Sequence, residues 1–545
     1  MDVKRIILLI PLAIVAYLLV IKWNEDTPPS QAPQQQSVLK ASPSDAQQPD
    51  DVTQAPATAS ELPAADGAHA ANSSALVSVN TDVLDVRINP NDGSIVYAAL
   101  PQQKAQLHGT DSFVLMSTSD SMYYVAQSNV IVDGQRRLTL SADRTDYRLE
   151  DGQNQLVIDL HGTLNGVDVI KRFTFTRGDY AVKQDILLNN QNSHAVDARV
   201  INELVRDQSA DPTSSSKGIG GIHSYLGAIF SSPDSRAKKV SLSDIKNGKF
   251  GAVTSAEGWA AMSQHYFLAA LIPSAKDVVT YKAVMDSRQR AHVSYETPDA
   301  TIQPGQQLDL SAQIYMGPKE KAQLEKVSPY LPKTIDYGWL WFLASPLFWL
   351  LAKIHSVIGN WGWSIVLLTC VVKAILLPLS AKAYRSMAKM RKLGPEMARI
   401  KEQHGDDRQK MSQKMMEFYQ KEKINPLGGC LPMVIQMPVF LALYWMLSES
   451  IELRHAPFML WIHDLSAQDP LFILPIIMGI SMFLQQMLNP APPDPMQAKV
   501  MRMLPVIFTF FFLWFPAGLV IYWITNNLLS IAQQYFITKQ IESKL

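Results

Sequence analysis

Apolar residues follow two different rhythms along this chain. Across residues 76–330 they alternate with polar ones in short runs: VSVNTDVLDVRINPNDGSIVYAAL, QLVIDLHGTL, DVIKRFTFTRGDYAVKQDILLNN and DLSAQIYMG. A period of two marks half-buried strands, and several such runs with few helical stretches predict a β-sandwich. Asn91-Asp92-Gly93 reads as a turn, and Arg177-Gly178-Asp179 as the hairpin turn between RFTFT and YAVKQ rather than an adhesion motif. Beyond residue 360 the rhythm changes to long apolar runs at 361–380, 431–447, about 471–488 and 499–537. The last is too long for one membrane crossing, and Phe515-Pro516-Ala517-Gly518 divides it in two. These five runs and an apolar stretch from Ile6 to Ile21 behind Lys4 and Arg5 predict six transmembrane helices.

The segments between complete the plan. Residues 1–23 are expected to be an uncleaved N-terminal anchor, because Lys22, Trp23, Asn24, Glu25 and Asp26 follow the apolar run in place of a small-residue cleavage site. Residues 24–75 are dominated by Pro, Gln, Ala, Ser and Asp and read as a flexible linker. Residues 337–356, rich in Trp, Phe and Leu with Pro346 in the middle, read as an amphipathic helix lying in the membrane interface. The insertion at 381–425 repeats Met387, Met390, Leu393, Met397 and Ile400, then Met411, Met415 and Phe418, at helical spacing around His404-Gly405-Asp406-Asp407. It is expected to be a helical hairpin.

Charge then sets the orientation. The formal net charge is zero, but the 381–425 loop holds twelve Lys and Arg against six acids, whereas 448–470 holds Glu449, Glu452, Asp464 and Asp469 against Arg454 alone. Positive loops stay inside, which puts both termini and the hairpin in the cytoplasm and residues 24–336 in the periplasm. The two cysteines, Cys370 and Cys430, lie in or beside apolar runs, which excludes a disulfide scaffold for the β region. No Cys/His spacing suggests a metal site and no nucleotide motif is present, so no cofactor is expected.

One residue breaks the apolar pattern most sharply. Lys373 lies within WGWSIVLLTCVVKAILLPLS, and no Asp or Glu occurs in the cores of the five C-terminal runs to pair with it. A charge at the centre of a membrane helix costs about 2.5–3.5 kcal/mol, so it faces water or a partner. Thr369 shares its helix face, Gln436 sits within the 431–447 run, and Tyr522, Asn526 and Ser530 recur at intervals of four on the last run. Together these six residues predict a hydrophilic groove open to the cytoplasm. The neutral ones also fit ordinary hydrogen bonding between helices. Sixteen of the 22 methionines follow residue 380, which suits a surface meeting varied partners. A basic hairpin points to polyanionic partners, either lipid or ribosomal RNA.

Five longer segments bear a resemblance: IDYGWLWF (335–342), NPLGGCLPMVIQMPVFLALYWML (425–447), ELRHAPFMLWIHDLSAQDP (452–470), FFLWFPAGLVIYW (511–523) and EGWAAMSQHYFLAALIP (257–273). In these the chain resembles the YidC/Oxa family of membrane protein insertases, in its Gram-negative form. The resemblance implies a polytopic α-helical membrane protein with a five-helix conserved core (361–545), a periplasmic β-super-sandwich and a cytoplasmic hairpin. It implies no enzymatic activity. It implies insertion of nascent membrane proteins into the inner membrane, alone or with the Sec translocon, and ribosome contact through the hairpin and C-terminal tail. The family's groove cation is typically arginine, where this chain has Lys373. Two other functions fit the bare residue pattern: a secondary transporter, or a membrane-anchored periplasmic carbohydrate-binding protein. The first would carry an inverted repeat, and none is visible.

Overall fold

Strict alternation builds the β region as expected. In Val167–Thr176 every odd residue is inward and every even one is less buried. The computed structural model describes residues 75–213, 225–274, 278–404, 407–422, 431–488 and 495–542. The expected anchor at 1–23, nearly all of the 24–75 linker, the Gly405-Asp406 turn and the Asn425–Cys430 lead-in lie outside the described residues.

An 11-stranded and a 9-stranded sheet face each other across one apolar core. Val167–Thr176 pairs antiparallel with Gln155–Leu164 on one side and Ala181–Asn190 on the other. Arg177-Gly178-Asp179 forms the hairpin turn between Val167–Thr176 and Ala181–Asn190, with Gly178 at φ 71°. The opposite sheet is centred on Met122–Val132 and Val196–Arg206. Phe113 of one sheet stacks on Phe267 of the other at 3.9 Å. Lys171 occupies an inward position of the alternation and is almost fully buried; its ammonium donates to the carbonyls of Asp92 at 2.6 Å and Ser128 at 2.5 Å, bridging the sheets.

Two short helices, α1 (Leu242–Lys246) and α2 (Lys321–Val327), belong to this domain. The helical part follows: α3 (Trp341–Ile358), α4 (Trp361–Lys392), α5 (Gly394–His404), α6 (Arg408–Lys421), α7 (Leu431–Glu449), α8 (Ile473–Met487), α9 (Pro495–Phe512) and α10 (Ala517–Glu542). The expected division of the last apolar run holds, with α9 ending at Phe512 and α10 starting at Ala517.

Two details differ from expectation. Helix α4 runs on through twelve residues of the anticipated hairpin, and the chain breaks at Leu393 before Gly394-Pro395. A proline disfavours helix in the residue before it and removes a hydrogen-bond donor, so the break belongs here. Met387 and Met390 therefore lie on α4, while Met397 lies on α5 and meets the Tyr419 hydroxyl of α6 at 3.6 Å.

Exposure on the long helices is inverted relative to a water-soluble protein. Helix α4 presents Leu367, Val371, Ile375, Leu377 and Leu379 outward and buries Ser364, Thr369, Lys373 and Ser380. Helix α8 likewise exposes Ile476, Ile477, Ile480, Phe483 and Leu484 while burying Ser481. In water such helices would be unstable; in hydrocarbon the arrangement is the favourable one. Among the described residues, Gly338–Ile358 and Trp361–Met390 are long and apolar enough to cross a membrane. Trp339, Trp341, Phe342, Trp349 and Trp363 lie exposed on and around α3.

Candidate functional site

The buried face of α4 carries Thr369, Lys373, Ser380 and Tyr384, at helical intervals of four, seven and four. It packs against α10, whose inward side holds Tyr522, Asn526 and Ser530. Lys373 Nζ donates to Ser530 Oγ at 2.7 Å, and that hydroxyl donates to the Asn526 carbonyl at 2.7 Å. Tyr384 meets the same hydroxyl. From α7, the Gln436 amide donates to Asn526 Oδ1 and, at 3.4 Å, to the Tyr522 hydroxyl. Thr369 turns its hydroxyl back to the Ile365 carbonyl at 2.7 Å, adding polarity to the face without reaching another helix.

Five of the six residues anticipated from sequence are thus joined in one hydrogen-bonded seam across α4, α7 and α10, and Thr369 lies one turn away. Among the described residues no carboxylate pairs with Lys373; its partner is the neutral hydroxyl. The seam is more closed than the expected groove, because Lys373 is only 5% exposed and Ser530 and Tyr522 2% each. Tyr384 was not anticipated, although its position eleven residues after Lys373 continues the same helix face. A second polar junction also escaped the sequence reading: Asn527 Nδ2 donates to Ser481 Oγ at 2.9 Å, and Gln534 Nε2 to the Leu488 carbonyl at 3.0 Å, tying α10 to α8. Gly479 of α8 lies directly against Thr509 of α9.

A helical membrane core with a polar interior and a large two-sheet β domain defines the class: multi-pass membrane proteins that carry a folded domain outside the bilayer. The model of the 60Kd inner membrane protein family matches residues 353–544, and that of the YidC periplasmic domain matches residues 76–350. The membrane protein insertase YidC of Stutzerimonas stutzeri (strain A1501) is 50% identical over 554 residues, covering 100% of this chain and 99% of that one. That of Pseudomonas fluorescens (strain SBW25) is 49% identical over 559 residues, with the same coverage. A crystal structure of an active YidC insertase with its first transmembrane domain resolved aligns over 86% of this chain and 93% of its own, at 19% identity and TM-score 0.39. The chain belongs to the YidC family of inner-membrane protein insertases, which are not enzymes.

Proposed function

We propose that this protein inserts the transmembrane segments of nascent proteins into the inner membrane, and that the α4–α7–α10 seam is where a client's polar residues pass. The observation that carries this reading is the bond from Lys373 to Ser530 within helices whose outer faces are apolar. A lysine there has a cost, and a hydroxyl neutralises none of its charge. The cation is therefore available to a carboxylate or carbonyl that arrives from elsewhere. A client with a short acidic or polar tail displaces Ser530, and Asn526, Gln436, Tyr522 and Thr369 supply further hydrogen-bonding groups. The desolvation that blocks spontaneous crossing is reduced. The client's apolar segment then leaves sideways into lipid, and its burial drives the step. No nucleotide hydrolysis is required.

The fuller topology follows from charge. Six spans with both termini in the cytoplasm put the β domain in the periplasm, and the basic α5–α6 hairpin and the C-terminal tail face ribosomal RNA. The tryptophans around α3 suit a helix lying in the interface. The Sec translocon is the expected partner for larger clients. The test is reconstitution into liposomes with a single-span client, scoring protease protection of its tail for the wild type, Lys373→Ala and Lys373→Arg. Loss with alanine and retention with arginine support the reading; equal protection by alanine and wild type overturns it.

A further inference from the structure

Glu449, Glu452, Asp464 and Asp469 lie at the end of α7 and along the loop that joins it to α8, and a loop washed by water would turn such acids outward. The folded loop does the opposite. Glu449 and Asp469 are buried, and Glu452 and Asp464 are half-buried. Asp469 accepts from Trp461 Nε1 at 2.9 Å and from the N–H groups of Leu471 at 3.0 Å and Leu474 at 2.7 Å. Asp464 accepts from the N–H and the hydroxyl of Ser466 at 2.8 and 2.7 Å. Large apolar side chains point out instead: Leu460 is 73% exposed, Leu471 55%, Met459 45% and Phe472 41%. Leu460 and Phe472 both sit at φ 55°, in the left-handed region that residues with side chains seldom occupy.

These apolar tips are fastened to the ends of the helices. Asn360, just before α4, donates through Nδ2 to the carbonyls of Phe458 at 3.1 Å and Pro457 at 3.3 Å. The Phe458 N–H donates to the Ile462 carbonyl at 3.0 Å, closing a tight turn around Met459 and Leu460. Phe458 meets Trp363 of α4 edge to face at 5.3 Å, and Trp363 is itself exposed. At the start of α10, the N–H groups of Ala517 and Gly518 donate to the carbonyls of Ala467 at 2.7 Å and Leu465 at 2.9 Å. Leu471 and Phe472 run directly into α8, whose Ile476, Ile477 and Ile480 face outward. Arg454, by contrast, meets the β domain, donating to the Lys104 carbonyl at 2.7 Å.

We propose that Met459, Leu460, Leu471 and Phe472 dip into the acyl chains of the leaflet at the β-domain end of the core, so that this loop extends the lipid-facing surface of α4 and α8. Its apolar-out, acid-in pattern is that of those two helices, and it runs on from Phe472 to Ile476 without a polar break. The turn around Leu460 lies beside an exposed tryptophan, the residue that marks the level of a membrane interface. Helix α8 has 15 residues, about 22 Å, against a hydrocarbon thickness of about 30 Å. Leu471 and Phe472 lengthen its apolar band at the N-terminal end. Only side chains are immersed; the backbone stays at headgroup level, where water pairs its free N–H and C=O groups. Neither the immersion nor its test depends on where a client passes.

The experiment uses the full chain in phosphatidylcholine liposomes with Cys370→Ser and Cys430→Ser, and adds one cysteine at a time: Leu460→Cys, Leu471→Cys or, as the water-facing control, His463→Cys. All three side chains are exposed, so their replacement leaves the packing intact. Each cysteine carries a bimane label, read against a phospholipid with a nitroxide at carbon 5 of its acyl chain and against iodide on both sides of the bilayer. The labels at 460 and 471 should be quenched at least threefold more by the nitroxide lipid than the label at 463, and at least threefold less by iodide. Equal iodide quenching at the three positions overturns the immersion. Labels at 460 and 471 shielded from both quenchers overturn it as well, because protein rather than lipid would then cover the loop.

Discussion

Replacing Lys373 by methionine should impair insertion, most of all for acidic-tailed clients, without weakening the fold. Among the described residues the wild-type side chain has one polar partner, Ser530 Oγ at 2.7 Å, and it is 5% exposed. A hydrogen bond from a charged donor contributes about 1.5–3 kcal/mol. Against it stands the cost of a lysine at membrane depth, about 2.5–3.5 kcal/mol. The two nearly cancel, and methionine fills similar volume with no charge to desolvate. Ser530 keeps its bond to the Asn526 carbonyl and its contact with Tyr384. The expected stability change is therefore within about 1 kcal/mol, with methionine favoured. For a client carboxylate held about 4 Å from the ammonium, an effective dielectric of 20 gives roughly 4 kcal/mol. Even a third of that is about tenfold in occupancy. Thermal unfolding in detergent measures the first quantity, and protease protection in liposomes with acidic-tailed and neutral-tailed clients measures the second. An unchanged melting temperature with at least tenfold less insertion of the acidic-tailed client is expected, and a smaller loss for the neutral one. Melting lowered in step with insertion would refute the reasoning, because the lysine would then be holding the helices together.

Three further outcomes follow from packing and titration. Gly479→Ala puts a Cβ 1.9 Å from Thr509 Oγ1, whose hydroxyl is held by the Pro505 carbonyl at 2.7 Å, so α8 and α9 must separate; a loss of about 1–3 kcal/mol is expected in unfolding titrations, and Thr509→Ala in the same chain should recover most of it. Gly258 has φ 137°, and a Cβ there meets the Ser231 carbonyl at 1.9 Å beside the strand Trp259–Ser263; Gly258→Ala should cost about 2–4 kcal/mol, read as earlier proteolysis of the β domain. Burial pulls the His292 imidazole down, but hydrogen bonds to Glu203 and then Asp286 outweigh it and leave the pKa raised. Its stabilisation is complete below the free value of about 6.5 and fades as pH rises through the folded value, so the melting temperature should fall between pH 6 and 8 by less in His292→Gln than in wild type.

Period-two alternation marked those strands well that have one wet and one dry face; Gln155–Leu164 coincides with QLVIDLHGTL to the residue, whereas Gly227–Ser231 and Trp259–Ser263 are buried on both faces and carry no such rhythm. Lys373, Gln436, Asn526 and Ser530 were conspicuous for the opposite reason, as polar residues in runs where lipid tolerates few. Tyr384 was missed because the apolar run ends near residue 380 while the helix continues to Lys392. Asn527 was missed because it lies off the 522–526–530 stripe and finds its partner on α8. The 450–470 loop looked like an acidic outer loop, yet it buries Leu453, Ile462, Leu465 and Asp469. Its partners include Lys104, about 350 positions away, a separation that no local periodicity encodes.

The inverted exposure of α4 bears on how easily it parts from α10. In water, prying two packed helices from each other exposes oil to solvent and is resisted across the whole contact. Within a bilayer, acyl chains replace the lost neighbours at little expense, and the bonds of Lys373 to Ser530 and of Gln436 to Asn526 give little net resistance once the cost of the buried lysine is set against them. Each of those bonds has a ready substitute in the peptide groups of an arriving chain. If clients pass through this seam as proposed, the core is closed by fastenings that its own cargo can undo, and it recloses once that cargo has moved on into lipid.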